Sequence, residues 1–160
     1  MRVRGIAAGL AIIVAAAPSA AVEVRRSVEV AAPPAEVWEL IGDVCSIADW
    51  HPVIASCIRE EDDRALYRIL QTEDGSTLHE QIMQVDDDAR FYKYSILEGP
   101  LPVRGYVSTL SVGPGADDDG SLVIWQSDFS SLGMTDEEAA GIIAGIYDAG
   151  LEALADRFAE

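Results

Sequence analysis

The segment TDEEAAGIIAGIYDAGLEALADRF, residues 135–158, decides the fold. Thr135 with Glu138 three residues on has the form of a capping box, and Asp136, Glu137 and Glu138 suit the positive end of a helix dipole. Behind them Ala139, Ile142, Ile143, Ile146, Tyr147, Leu151, Leu154 and Phe158 recur at helical spacing. That apolar stripe is the kind a helix lays against a sheet.

The sheet is written immediately upstream. From Val53 to Trp125 the chain reads as strands of roughly 7 to 11 residues parted by turn clusters: Glu61-Asp62-Asp63, Asp74-Gly75, Asp86-Asp87-Asp88 and Asp117-Asp118-Asp119-Gly120. About five or six antiparallel strands follow, and their short connections favour sequential hairpins in a meander. The acidic triplets lack the alternating oxygens and closing glutamate of a calcium loop and read as solvated turns. Further out, Val22 to Ala31 alternates as a first strand, stopped by Pro33-Pro34. Val37, Trp38, Leu40 and Ile41 then form a short helix ending near Gly42-Asp43, and Ser46 to Trp50 a second one that Pro52 terminates. The class is α+β. One helix is too narrow for such a sheet, so twisted strands curl around it. Gly141, Gly145, Ala149 and Gly150 either leave room for a cavity beside the helix or let strands pack closely on it; the pattern fits both.

At the other end, Arg2 and Arg4 precede an apolar run from Gly5 to Ala17, then Pro18 and the small residues Ser19-Ala20-Ala21. This predicts a secretory signal peptide over residues 1–21, because the run falls short of the roughly 20 residues a membrane span needs. Residues 22–160 are then one domain, with no stable membrane insertion after processing and a periplasmic or secreted location. The 160-residue chain has 11 basic residues against 28 acidic ones, and losing Arg2 and Arg4 makes its formal charge of −17 more negative still. So acidic a surface repels nucleic acid phosphates, and no basic stripe offsets it.

Export places Cys45 and Cys57 where thiols oxidise, and a disulfide between them is the expectation; two buried free thiols are the alternative. With His51 and His79 they lack the paired short spacing of a metal site, so no metal is expected. No phosphate loop, G-x-S-x-G or cofactor motif appears, and no cofactor is expected.

The order strand, two short helices, six strands, long helix resembles the START-like or SRPBCC superfamily, which includes polyketide cyclases, lipid carriers and plant abscisic acid receptors. The resemblance covers about residues 22–160 and implies a helix-grip fold, a curved antiparallel sheet wrapped around the C-terminal helix. It is carried by Val85-Asp86-Asp87-Asp88-Ala89-Arg90 with Tyr94 to Gly99, by Ser56-Cys57, by Ala48-Asp49-Trp50-His51-Pro52 and by Gly99-Pro100-Leu101-Pro102-Val103. It implies that Glu80, Tyr94, Ile96, Tyr106 and Ser108 line a pocket, that Leu101 and Pro102 sit on a loop at its mouth, and that Trp50 and His51 lie near the same entrance. Ala55 replaces the lysine that anchors the carboxylate in the hormone receptors, so an anionic hormone-like ligand is not implied.

Trp125 on its alternating strand, and Ile143 and Tyr147 on the long helix, complete the candidate lining. Trp50 and Trp125 also suit core packing. His51 can serve a ligand or act as a general base, or simply bond to backbone carbonyls. Glu80 either faces the cavity, where it needs a partner, or faces solvent. Three functions fit: a carrier for a small hydrophobic or amphipathic molecule, a cyclase or dehydratase with Glu80, His51 and Tyr106 as candidate catalytic groups, or an accessory protein docking on a periplasmic enzyme through its acidic face. The carrier needs the fewest assumptions.

Overall fold

The computed structural model describes residues 21–159. The predicted signal peptide, residues 1–21, lies almost wholly outside the described residues. The order is β1 (Val22–Val30), α1 (Pro34–Ile41), α2 (Ile47–Trp50), β2 (Ile54–Glu61), β3 (Leu66–Thr72), β4 (Thr77–Asp86), β5 (Phe91–Glu98), β6 (Val103–Pro114), β7 (Ser121–Ser131) and α3 (Asp136–Arg157). The seven strands form one antiparallel sheet in the order β1-β7-β6-β5-β4-β3-β2. Strands β2 to β7 are a meander of hairpins, as short acidic turns dictate, and β1 closes against the far side of β7.

The turns work through their carboxylates. Asp62 accepts from the amides of Arg64 and Ala65, Asp74 from Ser76, and Asp86 from Ala89. Each is a side chain standing in for a turn of backbone. Register shifts in β2, β4 and β6 bend the sheet. At the β6 shift Gly105 has φ of 62°, a left-handed conformation that costs a residue without Cβ nothing.

α3 begins as read: Thr135 accepts from the Glu138 amide, and Glu138 accepts from the Thr135 amide. It lies across the concave face, and Tyr147 stacks on Trp125 with ring centroids 4.4 Å apart. Two expectations about this helix are corrected. Ile142 points to solvent, 41 % exposed, because the sheet contacts a narrower stripe of the helix than the apolar pattern spans. Gly141 and Gly145 are also on the outer side with open space around them, so they leave no room inside. Only Gly150 faces the sheet, and it is filled: a Cβ there would stand 2.4 Å from His51 Cδ2 and 3.1 Å from Trp125. Close packing is what this glycine permits.

Cys45 and Cys57 are joined. The bridge ties the turn before α2 to β2 and fits an oxidising compartment. No helix among the described residues is long and apolar enough to cross a membrane.

Candidate functional site

Alternation on neighbouring strands builds the site. Leu66, Arg68 and Leu70 of β3 face the helix, as do Leu78, Glu80 and Ile82 of β4, and the register sets Arg68 directly opposite Glu80. Both are buried, and Arg68 Nε donates to Glu80 Oε2 over 2.6 Å. A second guanidinium nitrogen donates to the Val44 carbonyl, in the turn beside the disulfide. The guanidinium carbon lies 4.7 Å from the Tyr94 ring centroid and 5.3 Å from that of Tyr92. Burial would lower the Arg68 pKa, but Glu80 and the two tyrosines overcome it and hold the group above its ordinary range. Its Nη2 and the Tyr92 hydroxyl are buried and have no protein partner among the described residues.

A hydroxyl chain runs beside this pair. Ser108 donates to the Gln126 carbonyl, so its oxygen accepts from Tyr147, whose own oxygen accepts from Tyr106. Trp125 Nε1 donates to the Tyr94 hydroxyl over 3.0 Å. Burial pushes the Tyr94 and Tyr106 hydroxyls well above the usual phenol range, so both stay protonated donors.

His51 closes the helix side. Its Nε2 donates to the Ile146 carbonyl over 3.0 Å and its Nδ1 accepts from the Val53 amide over 3.3 Å, which fixes the neutral tautomer. Burial holds its pKa below the ordinary histidine range; the Ile146 bond opposes that and the Arg68 charge adds to it. Both ring nitrogens are engaged by backbone, the plain structural role among those open to it.

These groups surround a chamber of only about 40 Å³, room for two or three waters. His51, Glu80, Tyr94, Ile96, Leu101, Tyr106, Trp125, Ile143 and Tyr147 line it. Trp50, Pro102 and Ser108 do not. Trp50 packs behind His51 and Trp125, Ser108 stands one layer back in the hydroxyl chain, and Pro102 spends its carbonyl on the Leu132 amide. Beyond the chamber an apolar groove of about 310 Å³ opens to the surface between Val53, Leu78 and Pro100. Ile54, Leu101 and Ile146 line both spaces and stand between them.

Sequence reasoning missed Arg68, Ile47, Ile54, Leu70 and Ile146 as lining residues. Arg68 was accessible: it sits between Leu66 and Leu70 at strand alternation, opposite an acid flanked the same way. A charge on a strand suggests the solvent face unless both partners are read together.

The chain matches the family described as polyketide cyclase / dehydrase and lipid transport over residues 21–159. It is similar to the solved protein XoxI from Bacillus cereus, with 39% identity, 85% of this chain and 94% of that one covered, and a TM-score of 0.81. A Thermobifida fusca protein is 33% identical over 86% of this chain and 93% of its own, with a TM-score of 0.76. The ZhuI aromatase/cyclase from Streptomyces sp. R1128, 21% identical over 84% and 92%, shares the fold with a TM-score of 0.67. Among curated proteins nothing matches.

Proposed function

This chain belongs to the polyketide cyclase / dehydrase and lipid transport family, and we propose that it is an exported binding or carrier protein for a small amphipathic molecule. The observation that carries this reading is that two adjoining spaces share the same three side chains, Ile54, Leu101 and Ile146. The groove offers apolar area for a hydrophobic body, and the chamber offers Arg68, Tyr94 and Tyr106 to a polar end. Arg68 is already neutralised by Glu80, so the pair favours an uncharged oxygen over a carboxylate. Parting Ile54, Leu101 and Ile146 would merge chamber and groove into a volume suited to a small ligand.

The cyclase or dehydratase reading is weaker on the same geometry. Glu80 is held by an ion pair, and His51 has no nitrogen free to take a substrate proton. The disulfide supports export, and the acidic surface leaves a periplasmic protein partner as a salt-sensitive possibility.

Native mass spectrometry of the gently purified protein tests the proposal, with an Ile146→Trp variant that blocks the passage. A co-purifying molecule present on the parent protein and absent from the folded variant is the expected result. Turnover of an added polyketide-like substrate that is abolished in Glu80→Gln while its binding persists would overturn the carrier reading in favour of an enzyme.

A further inference from the structure

The disulfide closes a loop, and that loop is a wall of the site. Between Cys45 and Cys57 lie Ile47, His51 and Ile54 of the chamber and Val53 of the groove. From Ile54 the loop is already β2 and paired with β3, but before that its polar ties to the rest of the fold are few: His51 to the Ile146 carbonyl, the Asp49 carbonyl to Arg157, and the Val53 carbonyl to the Glu73 amide. Arg68 reaches the Val44 carbonyl, one residue before Cys45, so the bridge also steadies the residue that orients the chamber's guanidinium. Both cysteines are only partly buried.

We propose that the Cys45–Cys57 bridge is a redox lock on this wall, opened by a dithiol reductant of the thioredoxin type. A reductant thiolate attacks one sulfur of the bridge, forming a mixed disulfide and releasing the other cysteine as a thiolate. The reductant's second thiol then displaces the first cysteine. Two electrons pass to the bridge, both cysteines end as thiols after protonation, and the reductant leaves as its own disulfide. The sheet and α3 keep their hydrogen bonds, so loosening is confined to the loop and what it touches. Ile47 and His51 are thereby freed to draw away from Ile146, while Ile54 stays in β2. The lock's consequence for a ligand rests on the binding reading above; the loosening of the loop does not.

Amide hydrogen exchange of the oxidised protein and of the protein reduced by dithiothreitol reads the first part. Release of the neutral apolar dye 1-aminoanthracene reads the second. The lock requires exchange about tenfold faster over residues 44–53, with β5 to β7 unchanged, and faster dye release from the reduced form. A Cys45→Ser/Cys57→Ser variant without reductant should behave like the reduced protein. Unchanged exchange in the loop, exchange accelerated everywhere, or local loosening with unchanged dye release would each overturn the proposal. Local loosening with no dye bound to either form supports the lock on the wall and counts against the binding reading instead.

Discussion

Arg68 and Glu80 meet in a setting where neither charge is tolerable alone. Removing one partner leaves the other buried and uncompensated, at a cost of about 3 to 5 kcal/mol, whereas replacing both by apolar groups of similar size is often neutral. Urea unfolding should show Glu80→Ala destabilised by roughly that amount and Arg68→Met/Glu80→Leu recovering most of it. If the double variant is as unstable as the sum of the two singles, the pair is not a self-contained unit. His51 carries a second prediction. Burial keeps it neutral when folded, while in the unfolded chain it protonates near pH 6.5. As pH falls below about 6.5 the unfolded state takes up a proton that the folded state resists, so stability drops from there down to the lowered folded-state pKa. Above that window the group adds no pH dependence. His51→Gln should lose less stability than the parent between about pH 7.5 and pH 5.5, measured as urea midpoints; equal losses would discount His51 as the titrating group.

Along α3, two glycines of identical propensity should respond in opposite directions. Gly141 has open space around it, so Gly141→Ala gains roughly 0.5 to 1 kcal/mol from helix propensity and unfolded-state entropy. Gly150→Ala must push His51 off the helix and break its bond to Ile146, so it lowers the melting temperature despite the same propensity gain. Thermal melts of the two variants check this, and a stabilised Gly150→Ala would mean His51 moves freely. The same helix shows where sequence reading stops. Its capping box and its register were legible in residues 135–158, because caps and periodicity are local. Which side of the stripe would be covered was not legible. That depends on how far β1 and β7 wrap, and it left Ile142 exposed and made the glycines a poor guide to a cavity.

Across the whole molecule, the surplus of acids works against compactness. With 28 acids and 11 bases, self-repulsion lowers stability at low ionic strength, and raising NaCl from about 0.05 M to about 0.5 M should raise the melting temperature by shortening the screening length. A melting temperature that stays level would assign the charge to dispersed, individually neutral sites. The sequence by itself determined the element order, the meander, the C-terminal helix and the candidate disulfide, because hydrophobic period, turn chemistry and capping act over a few residues. Its resemblance to a known family, and not any local pattern, brought His51, Glu80, Tyr94 and Tyr106 into one candidate set with Tyr147 of the long helix. Only the tertiary structure decided that Glu80 turns inward to Arg68, that His51 is spent on backbone, and that the enclosed space is small and divided from its groove by Ile54, Leu101 and Ile146. Those outcomes depend on strand register and on side chains from distant segments meeting at contact distance, and no local pattern encodes that meeting.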